Sequence, residues 1–420
     1  MEFIIAFIWI LILAFHIVYI KRQFNIKYII DPVFLFLSGQ TIILIILGIV
    51  NYTGYLKSAE EFSFPSLCYI LTLGLSFLIG SLILDKKRYI PEILNKKISK
   101  RRTQIIIKIA FFVNFVIGTL GTLILLRGFY SGNLLNLLPY FISNFDRFDR
   151  MFFNSSAAIL WQANLAVLFW AGFFKDNWFK IILISIATIN ILLRAAFLYL
   201  VVAAFYYIIP NFILSKKKHF ILILIFILIL VPIFNYPNST GNVKKMLISV
   251  TPYTFGNFTN YNIYFNEMYK SDKASYDLVD IFRHFGFGSI MFYMDKYIGT
   301  NFLKHVKPSP FYNQLQDYTR YGNLSSFYGK FIKVPYLFAI IFIFFLGLLN
   351  RIIYNNAYNN LFFLSIYSWF AASNFMSFTG LGYFASTRFI PAVLFIWPFL
   401  LIISLLNMDI SHRRQTIASI

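Results

Sequence analysis

Long apolar runs without a charged residue constrain this chain more than any other feature of its sequence. The clearest run extends from Phe220 to Phe234. Of all residues, 59% are hydrophobic and 13% are charged, whereas soluble domains carry about 25% charged residues. A water-soluble globule could not cover so much apolar side chain. The sequence therefore predicts an all-α polytopic membrane protein.

The apolar runs predict about 11 transmembrane helices, within a range of roughly 10 to 12, because each helix needs about 20 apolar residues to cross the hydrocarbon core. A first bundle of about eight spans is expected in 1–235, a large extracytoplasmic loop domain in 236–330, and about three spans with a tail in 331–420. The predicted spans lie near 3–20, 28–50, 63–84, 105–126, 154–174, 181–193, 195–214, 219–235, 331–350, 361–379 and 389–406.

The distribution of Lys and Arg sets the predicted orientation. Cytoplasmic loops of membrane proteins collect positive charge, whereas long translocated segments escape this rule. With the N-terminus outside, the inner loops hold 19 of the 37 Lys and Arg residues, and ten more fall in 236–330. We therefore expect an outer N-terminus and a cytoplasmic C-terminus. Because this topology accounts for much of the net charge of +21, no nucleic-acid partner is expected.

Arginines in the predicted outer segments point to an anionic ligand. Only 127–153 and 236–330 are long enough to build a site on that side. Guanidinium groups bind phosphate through paired donors and stay charged, so a lipid pyrophosphate fits both the charge and the depth. Local Asp–Arg pairs at the membrane interface are the alternative interpretation. The outward arginines are Arg127, Arg147, Arg150, Arg283, Arg320 and Arg388.

Arg194 is the strongest single signal among the charged residues. It is separated from Lys180, on the cytoplasmic side, by the 13 residues Ile181 to Leu193. That run reaches about 20 Å, short of the ~30 Å hydrocarbon core, so Arg194 is expected below the outer surface. An ionisable residue at such depth is a functional hypothesis by default. The alternative is that its side chain extends to the lipid headgroups.

The motifs that are missing also constrain the chemistry. The sequence has no DxD, HExxH, GxxxxGK[ST] or GxSxG pattern, and its five histidines are scattered. We therefore expect neither a metal site nor a cofactor. His284, beside Arg283, is the one histidine considered as a general base, because imidazole titrates near neutral pH. A surface histidine without a role is the commoner case.

Polar residues inside and outside the predicted spans suggest different roles. Tyrosines and asparagines of the outer segments, Tyr261 among them, suit sugar recognition, although tyrosines also form interfacial belts. Polar residues within spans, such as Gln40, are interpreted as isolated, and no embedded carboxylate relay of a proton-driven carrier is found. Asp31, before Pro32, is expected to cap the second span. A carrier mechanism is therefore the weaker prediction.

Four places in the chain, taken together, resemble the pattern of a known protein family. They are the Asp31-Pro32 start of the second span, the arginine-bearing segment 144–153, Arg194 in a tight outer turn, and the stretch from Arg320 to Tyr354. In this combination the chain resembles the oligosaccharide repeat-unit polymerases, that is, the O-antigen and capsule polymerases. In the last stretch Lys333-Val334-Pro335 replaces an acidic step of the family. The residues there that fit the family pattern are Asn323, Ser325, Ser326, Gly329 and Gly347.

The resemblance implies a glycosyltransferase of the bacterial inner membrane. The growing glycan, held on undecaprenyl pyrophosphate, is moved onto a sugar hydroxyl of a new lipid-linked repeat unit at the outer face. The lipid bilayer and a chain-length regulator protein are the further partners implied. Arg194, Arg283 and His284 are assigned to catalysis, with Asp280 or Asp317 as alternative bases. The residues assigned to substrate binding are Arg147, Arg150, Arg320, Asn323, Tyr328 and Arg388.

Two alternatives remain open. An O-antigen ligase shares this architecture but hands the glycan to lipid A core, so the acceptor separates the two. A lipid-linked oligosaccharide flippase or a polysaccharide exporter would instead have arginines inside spans, a charged cavity within the bundle, and no large outer cap. The segment 236–330 and the outward arginines argue against transport.

Overall fold

The structure of the protein, a computed structural model, describes a set of separate ranges of the chain. Within these ranges all regular secondary structure is helical. The described residues are 2–24, 30–53, 62–84, 101–129, 157–173, 181–187, 197–214, 261–262, 265–266, 290–291, 294–295, 298–301, 331–332, 334–358, 360–377, 389, 392 and 396.

The longer helices are numbered in chain order, and residues 261–262, 265–266, 290–291 and 294–295 are also helical. The numbered helices are α1 (Glu2–Phe24), α2 (Pro32–Thr53), α3 (Phe64–Ile83), α4 (Arg101–Phe129), α5 (Ala157–Ala171), α6 (181–187), α7 (Phe197–Leu214), α8 (Tyr336–Ala357) and α9 (Leu361–Phe375).

Four of the described helices, α1, α2, α3 and α8, are long and apolar enough to cross a membrane. They contain 20 to 23 residues, which corresponds to about 30–35 Å against a hydrocarbon core of ~30 Å. Large apolar side chains such as Phe7 and Phe15 on α1 and Leu337 on α8 are exposed, as expected of surfaces that face lipid. The prediction of a helical membrane protein is therefore confirmed.

Most predicted spans coincide with described helices. Those from 3–20 to 195–214 overlap α1 to α7 in order, and the two that follow the long segment overlap α8 and α9. The predicted span near 219–235 lies outside the described residues. The span near 389–406 is described only at Phe389, Ala392 and Ile396, which are helical.

The clearest departure from the prediction is at α8. A span near 331–350 was expected to end before a cytoplasmic loop that begins at Arg351. The helix instead starts after Pro335, whose carbonyl accepts the Ala339 N–H at 3.0 Å, and continues to Ala357. The loop position of Arg351 is therefore wrong, because this residue lies within the helix and is fully buried. An oppositely charged partner, described below, makes that burial possible.

The chain forms two compact units. Unit 1 comprises Met1–Arg88, Ser239–Tyr354 and Phe370–Phe389, and unit 2 comprises Tyr89–Asn238, Asn355–Trp369 and Ile390–Ile420. Unit 1 thus brings the first three helices together with part of the long 236–330 segment and most of α8.

Helices α3 and α8 of unit 1 approach each other closely at two glycines, Gly80 and Gly347. A Cβ atom added at Gly80 of α3 would collide with the carbonyl oxygen of Phe344 on α8. One added at Gly347 of α8 would collide with the carbonyl oxygen of Phe77 on α3. Small residues allow this close approach of helices in membranes, where packing and hydrogen bonds replace the hydrophobic effect between helices. The glycine noted at 347 therefore has a packing role.

Helix α3 is defined at its start by a capping hydroxyl. Ser63 has extended backbone angles, φ −71° and ψ 151°, and its Oγ accepts the Ser66 N–H at 3.4 Å. Pro65 lies in the first turn, where its missing N–H costs no helical hydrogen bond. In the middle of α3, Phe77 stacks on Phe36 of α2 with ring centroids 4.2 Å apart. These contacts fix α3 between its neighbours in unit 1.

Unit 2 packs α5 between α4 and α7. Gly118 of α4 leaves room for the Asn164 side chain, whose Oδ1 would lie 2.8 Å from an added Cβ. On the α7 side, the rings of Phe169 and Tyr206 meet edge to face, with centroids 6.3 Å apart. A Cβ atom added at Gly172 would lie 2.8 Å from the Cβ of Pro210. Apolar and aromatic contacts dominate this part of the described chain.

Candidate functional site

The structure does not describe the residues that sequence reasoning assigned to catalysis and substrate binding. Their mutual arrangement therefore stays a prediction. The residues concerned are Arg147, Arg150, Arg194, Arg283, His284, Arg320, Asn323, Tyr328 and Arg388.

A buried ion pair joins α8 to the start of α2. Arg351 places its Nη1 2.8 Å from Asp31 Oδ2 and its Nη2 3.4 Å from Asp31 Oδ1. Both side chains have 0% exposure. The planar guanidinium group faces the carboxylate with two donors, the geometry that gives arginine–carboxylate pairs their strength and specificity.

Asp31 also caps α2, as its position before Pro32 predicted. Its Oδ1 accepts the Val33 N–H at 2.9 Å, and its carbonyl accepts the Leu35 N–H at 2.9 Å. The same Oδ1 lies 2.9 Å from Nε2 of His16 on α1. One carboxylate therefore satisfies a helix terminus, an imidazole and a guanidinium group, which leaves it well compensated for the loss of water.

Arg351 extends the network to a fourth helix. Its Nε donates to the carbonyl oxygen of Ser81 on α3 at 2.6 Å, and its guanidinium carbon lies 5.5 Å from the ring centroid of Tyr354. The network of His16, Asp31, Arg351 and the Ser81 carbonyl, here called the charged cluster, thus ties together α1, α2, α3 and α8. Breaking such a buried pair from one side leaves an uncompensated charge, at a cost of about 3–5 kcal/mol.

Two neutral polar pairs also join elements of unit 1. Asn374 Nδ2 donates to Asn350 Oδ1 at 2.9 Å, and Asn350 is the neighbour of Arg351 in sequence. Gln40, nine residues or about 14 Å along α2 from Asp31, donates from Nε2 to Ser377 Oγ at 3.0 Å. The interpretation of Gln40 as isolated is therefore wrong. Hydrogen bonds of this kind join helices where no water is available.

Sequence reasoning missed the charged cluster because it counted Arg351 as a loop residue. A signal was available, since Arg351 is the sole charged residue between Tyr336 and Ala357. A lone charge in an apolar helix requires a partner of opposite sign at the same depth. Asp31, next to the uncharged helix α2, is such a residue, although 320 residues separate the two in sequence.

The opposite end of α3 binds residues of the 236–330 segment. The Tyr261 hydroxyl donates to the carbonyl oxygen of Ser66 at 2.8 Å, and Ser63 Oγ donates to Asn266 Oδ1 at 2.6 Å. Ser66 precedes Ser81 by 15 residues, which corresponds to about 22 Å along a helix. The charged cluster and these contacts therefore lie at opposite ends of α3.

Aromatic rings surround Tyr261 at this end, which is here called the aromatic end. Ring centroids lie 6.3 Å from Phe62, 6.4 Å from Tyr69 and 5.9 Å from Phe265. Tyr69 also stacks on Tyr336 of α8 at 5.3 Å. Because Tyr261 has 0% exposure, its ring presents no face to a sugar. Its role is packing, and the interpretation as a sugar-stacking residue is wrong for Tyr261.

Within the described ranges, no three His, Cys, Asp or Glu residues are grouped so that they could hold a metal ion. No family model matches the chain, and no curated protein or solved structure matches it. The fold and this region define a helical membrane protein. The charged cluster contacts one end of α3 through the Ser81 carbonyl, and the aromatic end lies at the other.

Proposed function

We propose that the protein is a polysaccharide polymerase of the bacterial inner membrane. It transfers a growing glycan from undecaprenyl pyrophosphate to a new lipid-linked repeat unit at the outer face. The observation that carries the proposal is the contact of Tyr261 and Asn266 with one end of α3. This contact fastens the segment 236–330, with its ten Lys and Arg residues, to a helix that is apolar enough to cross the membrane.

The proposed chemistry needs a stabilised leaving group and an activated hydroxyl. The acceptor oxygen forms a bond to the anomeric carbon, the bond from that carbon to the pyrophosphate oxygen breaks, and the lipid pyrophosphate leaves with the electron pair. Arg194 and Arg283 stabilise the negative charge that develops on it, as fixed cations do at developing oxyanions. His284 accepts the proton of the acceptor hydroxyl.

The remaining arginines and polar residues hold the two lipid-linked substrates. Arg147, Arg150 and Arg388 provide further cationic contacts to the pyrophosphate groups. The lipid anchors each substrate in the bilayer, and the pyrophosphate is bound at the interface. Only the sugars then still need to be positioned. Arg320, Asn323 and Tyr328 are proposed to position those sugars.

The test is the ladder of polysaccharide chain lengths in a strain that lacks the gene and carries it back on a plasmid. Wild type should restore long chains, and Arg194→Ala at equal membrane level should reduce them roughly a hundredfold, the usual effect of losing one such donor. Lys97→Ala, in a predicted cytoplasmic loop, is the matched control and should give the wild-type ladder. Full-length chains from Arg194→Ala would reduce this arginine to an interfacial anchor.

An O-antigen ligase is separated from a polymerase by its acceptor. A polymerase lengthens lipid-linked repeats in membranes without lipid A core, whereas a ligase transfers finished polymer to that core. If the deletion strain still makes long chains but leaves them on the carrier lipid, the protein is a ligase.

A second candidate is a lipid-linked oligosaccharide flippase or exporter. The observation in its favour is the charged cluster, because Arg351 lies inside a helix and pairs with Asp31. Transport of a fluorescent lipid-linked oligosaccharide across proteoliposomes by the wild-type protein, kept in Arg194→Ala, would select this candidate. Against it stands the complete burial of both charges, which presents neither of them to a substrate.

A further inference from the structure

We propose that Tyr261, Asn262, Phe265 and Asn266 form a fixed dock of the outer segment on α3, and that Tyr261 and Asn266 are positioning residues for the transfer reaction. This inference rests on the proposed function. The dock stays in place throughout the reaction cycle, and it anchors the chain at Asn266, 17 residues before Arg283.

The Tyr261 contact combines a hydrogen bond with complete burial. Its hydroxyl donates to a backbone carbonyl, that of Ser66, at 2.8 Å. A backbone acceptor has a fixed position in the first turns of α3, because it belongs to the helix itself. The ring is 0% exposed, so detachment would expose both a large aromatic surface and a polar group whose partner is lost.

The Asn266 contact links the dock to the start of α3. The Ser63 hydroxyl donates to Asn266 Oδ1 at 2.6 Å and accepts the Ser66 N–H at 3.4 Å. One hydroxyl group thus caps the helix and holds the segment. Anything that pulls Asn266 away also disturbs the cap, which couples the dock to the stability of the helix start.

Aromatic contacts extend the dock from α3 to α8. Tyr69 of α3 lies 5.4 Å from Phe265 and 5.3 Å from Tyr336 of α8, measured between ring centroids. The dock is therefore anchored to two helices whose backbones already touch through Gly80 and Gly347. A pair of helices in such close contact provides a rigid base.

The position of the dock in the sequence suggests what it positions. Arg283 follows Asn266 by 17 residues, and His284 comes next. Farther along the segment, the Ile298 N–H donates to the Met294 carbonyl at 2.9 Å. Gly299 follows with φ +79°. The left-handed glycine ends this helical turn, as at many helix C-termini.

The decisive experiment joins the dock covalently. Ser63→Cys and Asn266→Cys are combined in a Cys68→Ala background, which removes the single native cysteine. Because the two side chains are hydrogen-bonded at 2.6 Å and the outer side of a bacterial inner membrane is oxidising, the cysteine pair should be joined in living cells by a direct disulfide. Where the Cβ atoms lie beyond the about 3.5–4.5 Å that a disulfide needs, a short bifunctional methanethiosulfonate reagent added from outside joins the pair. The link is read by maleimide-polyethylene glycol labelling with and without prior reduction. The two single-cysteine variants are the controls.

The same cells are scored for polysaccharide ladders. Disulfide formation together with wild-type chain lengths supports a dock that stays closed during transfer. Disulfide formation with only single repeats overturns it, because the segment must then leave α3 during the cycle. A pair that is joined neither by a disulfide nor by the short reagent overturns the contact or its outer location. If wild type itself extends no glycan, the proposed function fails while the disulfide result still reports on the dock.

A second measurement tests Tyr261 without a cross-link. In Tyr261→Phe the ring stays and the hydrogen bond is lost. In a Cys68→Ala background this should raise the rate at which a membrane-impermeant maleimide labels Asn262→Cys, at a position that is buried, about fivefold, the effect of one typical hydrogen bond on local opening. Tyr261→Leu should raise it further and lower the ratio of long chains to single repeats at equal membrane level. Tyr52→Phe, at a tyrosine that is 88% exposed, is the matched control. Unchanged labelling of Asn262→Cys in both Tyr261 variants would overturn the dock.

Discussion

The two ends of α3 are held by opposite kinds of chemistry. At the charged cluster, a few strong and directional contacts converge on Asp31 and Arg351, and both residues are completely buried. At the aromatic end, two hydrogen bonds and several ring contacts share the work around Tyr261. The charged cluster loses much stability when one partner is removed, because an unpaired buried charge is costly. The aromatic end loses stability in small steps, because each contact contributes little.

This difference suggests a division of labour within unit 1. The charged cluster joins four helices through directional contacts to two buried charges. The aromatic end fastens a segment that belongs to the predicted outer site through several contacts, each of which contributes little. Substitutions at the two ends should therefore differ more in magnitude than in direction.

The largest effect is expected at Arg351. Arg351→Ala removes the cation and leaves Asp31 buried, which should lower the free energy of unfolding by about 3–5 kcal/mol. Thermal denaturation in detergent, followed by size-exclusion fluorescence, measures the change. Lys108→Ala, at an exposed lysine of α4, is the control and should change little. A melting temperature equal to wild type would contradict a charged cluster that depends on every partner.

A charge exchange sharpens the same comparison. Asp31→Arg combined with Arg351→Asp restores opposite charges, although the helix cap of α2 is lost. The double variant should be more stable than Asp31→Arg alone, in which two buried cations face each other. Equal stability of the two variants would mean that the pair contributes through packing and not through charge.

The next effect is expected at the contact between α3 and α8. Gly347→Leu forces a side chain against the backbone of Phe77 and should cost about 1–3 kcal/mol or more, as overpacking does. The same denaturation assay applies. Leu75→Phe adds bulk on an exposed side of α3, where Leu75 is 42% exposed, and should be tolerated. If both variants melt alike, the close approach of the two backbones is incorrect.

A smaller effect is expected at Ser63 and Asn266, where a double-mutant cycle isolates one hydrogen bond. Asn266→Ala should cost about 1 kcal/mol, and Ser63→Ala should cost more because it also removes the cap of α3. The double variant should cost less than the sum of the two, with a coupling near 1 kcal/mol. Additive costs would mean that the two side chains do not interact.

The smallest effect is expected at Cys68. This residue is exposed on α3, and Cys68→Ala should change stability by less than about 0.5 kcal/mol. The variant also serves as the background for the cysteine experiment. A large loss of stability would place the thiol in a packed contact that the structure does not contain.

The helical and membrane-spanning character of the described residues was predictable because apolar length alone specifies a spanning helix. α1, α2 and α3 begin and end within a few residues of their predicted limits, and the Asp31 cap followed from its position before Pro32. The pairing of Asp31 with Arg351 could not be read from local sequence, because the partners are 320 residues apart. Charge counting assigned Arg351, near a predicted span end, to a loop. Its place as the sole charge between Tyr336 and Ala357 indicates burial, but only tertiary contacts identify its partner.

The candidate site was predicted from a different kind of signal, the side of the membrane on which arginines fall. Such reasoning selects residues such as Arg194 and Arg283 but does not fix their distances. It also treated Tyr261 as a ligand contact, since composition cannot separate a buried tyrosine from an exposed one. The hydrogen bond from Tyr261 to a backbone carbonyl depends on packing, and no sequence pattern encodes it.

The separation of Asp31 from Arg351 has a consequence for the making of the protein. At about 5–20 residues per second, the ribosome needs roughly 16–64 s to synthesise the 320 residues between them. During that interval the aspartate has already been delivered to the membrane and its arginine does not yet exist. His16, only 15 residues before Asp31, is made earlier and can hold the carboxylate while it waits. We therefore expect His16 to bind the carboxylate before Arg351 is made and to become one member of the charged cluster once α8 has been inserted.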